Sequence, residues 1–63
     1  MALTLKGARV NAGLTQKEAG EKLGVTSVTL SNWEKGKTFP KVDQIFRLAD
    51  LYGVSVNDFI FLK

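Results

Sequence analysis

The 63-residue chain contains no cysteine and no histidine. Without cysteine it forms neither disulfides nor thiolate metal sites, and without histidine it lacks the other common zinc ligand and the commonest general base. The six carboxylates are expected at helix caps or on solvated faces, apart from Glu34, so no acid–base pair is available for catalysis. These absences argue against an enzyme, a metal site, a cofactor or a small-molecule ligand.

Long apolar runs are also absent. No stretch reaches the roughly 20 apolar residues that a membrane-spanning helix requires. Lys6 and Arg9 interrupt the N-terminal segment, which does not fit a signal peptide. We therefore expect a cytoplasmic protein with no membrane contact. The length fits one domain over residues 1–63, which buries only about 60% of the surface of its unfolded chain.

Positive charge is concentrated in the first part of the sequence. Residues 1–38 carry six basic and three acidic side chains, a net charge of +3, whereas residues 39–63 carry three of each and are neutral. A basic region favours a polyanionic partner because it attracts phosphate groups. The charge distribution therefore favours binding of a polyanion within residues 1–38.

Capping signals and glycines predict five helices. Thr15 with Glu18 and Ser55 with Asp58 have the spacing of capping boxes, and Thr26 is a hydroxyl N-cap. A glycine follows most of the predicted segments, where the left-handed conformation ends a helix. Apolar residues recur at helical spacing between these signals. We predict an all-α fold with helices at about residues 3–12, 16–23, 27–35, 42–52 and 56–62.

The stretch from Gln16 to Gly36 predicts two short helices joined by a tight turn. Gly20 lies inside the first of them, although glycine there costs about 1 kcal/mol relative to alanine. We expect it on the side that the second helix crosses, where a side chain larger than a methyl would hold the helices apart. The positions of Gly20, Gly24 and Leu30 match a helix-turn-helix. An αα-hairpin that binds nothing is the alternative.

The helix that follows Thr26 has two unlike faces. With about 100° between successive residues, Leu30 and Trp33 point into the core. The opposite face is uncharged and carries short hydrogen-bonding side chains, without the Glu and Lys of most solvated faces. Because Lys35 and Lys37 follow it, we interpret it as a docking face, with an ordinary solvated surface as the alternative. Its members are Ser27, Val28, Ser31 and Asn32.

Arg9 lies beside the apolar face of the first predicted helix. A guanidinium is unfavourable there without an acidic partner. Glu34, at the inward edge of the second motif helix, is the candidate. The alternative is that both charges point to water.

Apolar residues after the motif carry two further expectations. Phe39 has few polar neighbours, and its side chain is expected to pack back onto the core. Phe61 and Leu62 add more apolar surface than a small monomer should expose. Together with Phe59 they predict a dimer contact, and core packing at a terminus is the alternative.

Several stretches together resemble the Xre/Cro/CI family, the lambda-repressor-like transcriptional regulators of phages and bacteria. The resemblance covers about residues 5–60. It rests on Leu-Thr-Gln-Lys-Glu at 14–18, Gly-Val-Thr at 24–26, Ser-Asn-Trp-Glu-Lys-Gly-Lys at 31–37, Pro40, and Leu-Tyr-Gly-Val-Ser at 51–55.

This resemblance implies a compact five-helix, lambda-repressor-like fold whose second and third helices bind double-stranded DNA. It implies a transcriptional regulator, typically a repressor, that acts as a homodimer on a two-fold operator. It supports the pair of Arg9 and Glu34 as a structural bridge. The implied base contacts are Ser27, Val28 and Asn32, with Ser31 nearby. The expected phosphate contacts are Gln16, Thr26, Lys35, Lys37 and Thr38.

The chemistry of these residues agrees with such roles. Asn32 suits bidentate pairing with adenine, Ser27 bonds to several bases, and Val28 fits a thymine methyl group. Free N–H groups at helix N-termini attract phosphate. A protein-interaction module of the antitoxin or anti-repressor kind, using the apolar C-terminal residues, is the alternative function.

Overall fold

The computed structural model describes residues 3–61, which form four α-helices. These are α1 (Leu5–Asn11), α2 (Gln16–Leu23), α3 (Ser27–Lys35) and α4 (Val42–Tyr52). A 3₁₀ helix at Val56–Asp58 follows. Two short strands, β1 (Leu3–Thr4) and β2 (Phe59–Ile60), pair in parallel, with Leu3 opposite Phe59 and Thr4 opposite Ile60. Within residues 3–61, no helix has the length and apolar character to cross a membrane.

The predicted fifth helix is wrong. The Ser55 hydroxyl accepts a hydrogen bond from the Asn57 N–H at 3.3 Å, and the Asp58 carboxylate accepts one from the Ser55 N–H at 3.2 Å. This capping box starts only one 3₁₀ turn, because Phe59 is extended (φ −76°, ψ 137°). Pairing with Leu3 satisfies backbone groups that a helix would have used. Residue 62, the predicted end of this helix, lies outside the described residues.

The same strand pair displaces the start of the first helix. The prediction placed that start at residue 3, whereas Leu3 and Thr4 are extended and α1 begins at Leu5. Thr4 is its N-cap, and its hydroxyl accepts a hydrogen bond from the Gly7 N–H at 3.0 Å. Sequence signals located the helix, but its first turn depended on residues more than 50 positions away.

The core lies between the helices and includes most of the inward residues predicted for the motif. Leu30 is fully buried and Trp33 is 6% exposed, and they pack in one cluster with residues of α1, α2 and α4. Burial of a large apolar side chain stabilises a fold by about 1.5–3 kcal/mol, so this cluster holds the helices together. It consists of Leu5, Ala8, Ala19, Leu23, Leu30, Trp33, Leu48 and Tyr52.

Gly20 determines how closely α2 and α3 approach. A Cβ at this position would lie 2.7 Å from the carbonyl oxygen of Val25, in the turn between the helices. That distance is shorter than real Cβ atoms adopt, so the predicted limit on side-chain size at the helix crossing is confirmed. The limit is stricter than predicted, because it already excludes the methyl group of alanine. The turn is completed by Gly24, which adopts a left-handed conformation (φ 77°) that a larger residue rarely takes.

The segment after α3 differs from the prediction for Phe39. Its side chain is 55% exposed, and the next residue, Pro40, is buried instead. Val42 and Phe46, which stand at the same helical spacing as the core residues of α4, are 70% and 60% exposed. The buried side of α4 is formed by Leu48, Ala49 and Tyr52. Helical periodicity therefore identified α4 but not which of its apolar residues face the core.

Candidate nucleic-acid interface

The two faces of α3 have opposite environments. Leu30, Trp33 and Glu34 are buried on one side. On the other, Ser27 is exposed and Val28 is 68% exposed. Ser31 and Asn32, also predicted on this face, are half-buried. The outward face is therefore most accessible at the N-terminal end of the helix, which is the end that helix-turn-helix proteins direct at base edges.

The polar side chains of this face are available for a ligand. Ser27, Ser31 and Asn32 form no side-chain hydrogen bond with another residue among 3–61. The Asn32 carboxamide carries two donors and an acceptor, and none of them is used inside the described part of the chain. Its backbone carbonyl, by contrast, accepts a hydrogen bond from the Lys37 N–H at 2.9 Å. The side chain is left free while the backbone anchors the next loop.

Thr26 holds the N-terminus of α3 through its hydroxyl. The Thr26 Oγ1 accepts a hydrogen bond from the Thr29 N–H at 3.1 Å and donates one to the Thr29 hydroxyl at 3.0 Å. Its proton is therefore occupied. The N–H groups of Ser27 and Val28, in the first turn, have no intrahelical acceptor. A phosphate at this end would be bound by those backbone groups, with Thr26 fixing their direction.

Gln16, the first residue of α2, connects the predicted interface to the interior. Its side-chain Nε2 donates a hydrogen bond to Glu34 Oε1 at 3.1 Å. Because a carboxamide nitrogen carries two hydrogens, one remains for a phosphate. The capping box at Thr15 and Glu18 is present, with hydrogen bonds of 3.1 and 3.0 Å. The Thr15 N–H, which donates to the Glu18 carboxylate, lowers the pKa of Glu18, and the Thr15 hydroxyl lowers it further.

The loop after α3 presents the remaining predicted phosphate contacts. Lys35, Lys37 and Thr38 are all exposed. Gly36 ends α3 in a left-handed conformation (φ 78°). Hydrogen bonds from the Lys37 and Thr38 N–H groups to the Asn32 carbonyl then fold the loop onto the end of the helix. The two lysines are thereby held within one turn of the outward face of α3.

Arg9 and Glu34 lie in contact beneath that face. The Arg9 Nε lies 2.7 Å from Glu34 Oε2, and the two side chains are 10% and 4% exposed. A second contact joins Nη2 to Oε1 at 3.3 Å, and Nη1 donates to the Leu14 carbonyl at 2.8 Å. Hydrogen bonding to Glu34 raises the pKa of Arg9, although burial opposes this change. The pair joins α1 to α3. Arg9 also donates to the Leu14 carbonyl and Glu34 accepts from Gln16, so the network extends to the start of α2.

Tyr52 of α4 is close to this pair. Burial, together with the negative charge of Glu34, raises the pKa of Tyr52 to about 12. Its hydroxyl is buried and forms no hydrogen bond with any residue from 3 to 61. No local signal in the sequence indicated that Gln16 bonds to Glu34 or that Tyr52 lies near this pair, because both depend on the packing of distant helices.

The predicted dimer residues are only partly accessible. Phe59 and Phe61 are half-buried and pack against the core. Their ring centroids are 6.1 Å apart, with a tilt of 55° between the rings. Leu62 lies outside the described residues. The C-terminal dimer contact stays a prediction, and the part of each phenylalanine that packs inward is not available to a partner.

Comparison with known proteins agrees with this geometry. A family model described as helix-turn-helix matches residues 5–59, which include all four α-helices. The chain belongs to the Xre/Cro/CI-like helix-turn-helix family. Curated members of it are HTH-type transcriptional regulators.

Three relatives illustrate the range of this family. The HTH-type transcriptional regulator ImmR of Bacillus subtilis is 47% identical over 53 residues, which are 84% of this chain and 42% of ImmR. An uncharacterized HTH-type transcriptional regulator of Methanocaldococcus jannaschii is 40% identical over 86% of this chain and 82% of the relative. The cryptic phage CTXphi transcriptional repressor RstR of Vibrio cholerae is 32% identical over 89% and 50%, respectively. The chain thus spans about two fifths of ImmR and half of RstR.

Proposed function

We propose that this helix-turn-helix chain regulates transcription by binding double-stranded DNA sequence-specifically, with α3 in the major groove. The observation that carries the proposal is the outward face of α3. It combines an exposed Ser27 and Val28 with an Asn32 carboxamide that has no partner within residues 3–61. Asn32 pairs with adenine, Ser27 bonds to several bases, and Val28 contacts a thymine methyl group.

Phosphate contacts set the position of α3 in the groove. The N–H groups at the starts of α2 and α3, the second Gln16 side-chain hydrogen, and the exposed Lys35, Lys37 and Thr38 support this role. Such contacts fix the register of the protein on DNA and make binding salt-dependent, but they carry no base information. The base-contacting residues are therefore expected to affect sequence preference, and the phosphate-contacting residues to affect overall affinity and its salt dependence.

The regulator acts as a homodimer on a two-fold operator and represses transcription by occupying it. A single module with three or four base contacts binds weakly, whereas two modules on half-sites about 34 Å apart reach useful affinity. Repression is supported by the similarity to RstR, whose name describes a phage transcriptional repressor.

Selection of bound sequences from random duplex DNA at two salt concentrations tests the proposal. The expected result is one recurring half-site that appears as an inverted repeat at both concentrations. Binding without any sequence enrichment would contradict sequence-specific recognition. Enrichment of an isolated half-site would contradict the two-fold operator.

Two substitutions then separate base reading from phosphate contact. Asn32→Ala should weaken binding to the selected site by roughly 1–3 kcal/mol and relax preference at one base position. Lys37→Ala should weaken binding to all duplexes and reduce the salt dependence by about one counterion. Electrophoretic or fluorescence titration against single-base variants of the site measures both. If Asn32→Ala changed neither affinity nor base preference, the assignment of the recognition face would be wrong.

A further inference from the structure

The buried Glu34 carboxylate accepts hydrogen bonds from two different helices. Its Oε2 accepts from the Arg9 Nε of α1 at 2.7 Å, and its Oε1 accepts from the Gln16 Nε2 of α2 at 3.1 Å. The second guanidinium contact, from Nη2 to Oε1, is longer, at 3.3 Å. Each carboxylate oxygen therefore has one shorter partner, and the partner of Oε1 belongs to the predicted DNA interface.

This contact fixes which end of the Gln16 carboxamide points inward. A carboxylate only accepts hydrogen bonds, so it attracts the amide nitrogen and repels the amide oxygen. Turning the amide over would bring two oxygens together beside a carboxylate that is largely buried, which is unfavourable. One hydrogen of Nε2 is therefore bound to Glu34. The other lies in the plane of the amide and is directed away from the carboxylate.

The same network anchors the backbone that carries Gln16. The Arg9 Nη1 donates to the Leu14 carbonyl at 2.8 Å, two residues before Gln16. Thr15, between them, caps α2 by accepting from the Glu18 N–H at 3.1 Å. Both the main chain and the side chain at the start of α2 are thus held by one buried ion pair. A side chain held in this way loses less conformational entropy when it binds a ligand.

We infer that Glu34, held in place by Arg9, is a positioning residue for DNA binding, which directs the second Gln16 amide hydrogen toward one phosphate of the operator backbone. This role rests on the proposed function, in which Gln16 is a phosphate contact. Glu34 does not touch DNA, since its side chain is only 4% exposed. It acts through Gln16.

The surroundings of the Gln16 amide favour an anionic acceptor. Gln16 is the first residue of α2, where the backbone N–H groups of the first turn have no intrahelical acceptor. The positive end of the helix dipole lies at the same place. The side-chain hydrogen therefore joins a group of donors at one helix end, and a phosphate oxygen is an acceptor that such a group binds.

The pair of Arg9 and Glu34 adds no net charge to the molecule. The double variant Arg9→Met with Glu34→Leu keeps the formal net charge at +3, so the long-range attraction to DNA is unchanged. It removes the acceptor that holds the Gln16 amide. Unlike a change at Glu34 alone, it leaves no buried charge without a partner. This variant therefore tests positioning separately from charge.

Methylphosphonate substitution of single phosphates provides the measurement. A methylphosphonate carries a methyl group in place of one charged oxygen. In a series of operator duplexes with one substitution each, one position should abolish the difference in affinity between the wild-type chain and Gln16→Met. For that position, the ratio of affinities for the ordinary and the modified duplex should be about tenfold larger for the wild-type chain, on the order of one hydrogen bond to a charged group.

The double variant should lose part of this ratio. Without Glu34, the Gln16 side chain must be ordered when DNA binds, which should lower the ratio by roughly two- to tenfold. Partial unfolding would reduce the affinity for both duplexes by the same factor, so a purely structural role of the pair would leave the ratio unchanged. Tyr52→Phe is the matched control, because it changes a side chain beside the pair that forms no hydrogen bond with Gln16. It should keep the wild-type ratio.

Nitrogen-15 NMR of the free chain measures the contact between Glu34 and Gln16 without DNA. In the wild-type chain, one of the two Gln16 amide hydrogens should exchange with water more slowly than those of the exposed Asn11. The double variant should remove this protection. Equal exchange of the Gln16 hydrogens in the two proteins would overturn the inference.

The DNA measurements separate this inference from the proposed function. A double variant that kept the full wild-type ratio would overturn the positioning role and leave sequence-specific binding intact. The same conclusion would follow if no phosphate in the series gave a smaller ratio for Gln16→Met. Absence of duplex binding by the wild-type chain would instead contradict the proposed function, and the positioning role would fall with it.

Discussion

The outer faces of α3 and α4 expose different chemistry to solvent. The α3 face combines short polar groups with one exposed valine and is followed by two lysines. The α4 face combines exposed valine and phenylalanine with four charges that sum to zero, on Lys41 at its N-cap and on Asp43, Arg47 and Asp50. Short hydrogen-bonding groups next to positive charges suit DNA, whose bases present donors and acceptors in the grooves. Exposed apolar side chains with balanced charges instead suit contact with a protein surface.

The two helices also differ in what holds them. α3 is fixed by the close crossing at Gly20 and by the buried pair of Arg9 and Glu34. α4 is held by apolar packing of Leu48, Ala49 and Tyr52. Polar networks and backbone contacts allow little variation in angle, since their energy depends steeply on distance and direction. The orientation of α3 therefore depends on directional polar contacts and a steric limit, whereas that of α4 depends on apolar packing.

The largest expected effect follows from removing one member of the buried pair. Glu34→Ala leaves the Arg9 guanidinium buried without its carboxylate and should cost about 3–5 kcal/mol. A 63-residue chain has a total stability of only roughly 3–9 kcal/mol, so much of the protein should unfold. Urea unfolding followed by the fluorescence of the single tryptophan, Trp33, measures the loss.

The double variant Arg9→Met with Glu34→Leu is the control for this prediction. Replacing both charges by apolar groups of similar size is expected to cost much less than the single change, because no buried charge is left unpaired. If the free energy of unfolding of Glu34→Ala fell within about 1 kcal/mol of the wild-type value, the pair would contribute no more than an exposed ion pair does. That result would show that the pair does not fix α3.

A smaller effect is expected at the crossing of α2 and α3. Gly20→Val places a branched side chain where even a Cβ would lie 2.7 Å from the Val25 carbonyl oxygen. Overpacking of this kind costs about 1–3 kcal/mol, and the shift of α3 should weaken specific DNA binding further. Glu21→Val, at an exposed neighbouring position on the same helix, introduces the same side chain without the contact and is the control. Equal stability of the two variants would contradict the restricted crossing.

The smallest effect concerns the anchoring of α4 and appears at high pH. The pKa of Tyr52 is raised to about 12, whereas an unfolded chain titrates near 10. The folded state therefore keeps the neutral phenol. Its contribution to stability is fully present below about pH 10 and is lost as the pH rises through the folded pKa. Because Tyr52 is the only tyrosine, ultraviolet titration of tyrosinate reports it directly.

Tyr52→Phe complements the titration. The hydroxyl has no hydrogen-bond partner among residues 3–61, so its removal leaves no partner unsatisfied. Stability at neutral pH should change by less than about 1 kcal/mol, and the fall in stability above pH 10 should be reduced. A titration midpoint near 10 would instead show that Tyr52 reaches solvent and that α4 is loosely held.

Local signals predicted the parts of the fold that depend on neighbouring residues. The hydroxyl caps at Thr15 and Thr26 and the terminal glycines 24, 36 and 53 lie where the sequence placed them. The interior face of α3 followed from its spacing alone. The last predicted helix was wrong because its outcome depended on pairing with Leu3. Local capping at Ser55 was correct, but it did not determine how far the helix would continue.

The candidate interface shows the same division. Helical periodicity placed Ser27 and Val28 outward, but not the partial burial of Ser31 and Asn32. Val42 and Phe46 of α4 have the same helical spacing as its core residues, and spacing alone does not distinguish them, because an apolar side chain has the same spacing whether or not another helix covers it. Phe39 was likewise expected inside and lies largely outside.

By itself, the sequence determined the limits of the four α-helices within about two residues, the helix-turn-helix spacing, and the family, since these depend on local capping and on motifs. Only the tertiary structure decided the strand pairing, the network that joins Arg9, Gln16 and Glu34, and the exposure of Val42 and Phe46 on α4. These features depend on which distant surfaces cover one another. Burial is a property of the packed chain, and no single helix carries the information that sets it.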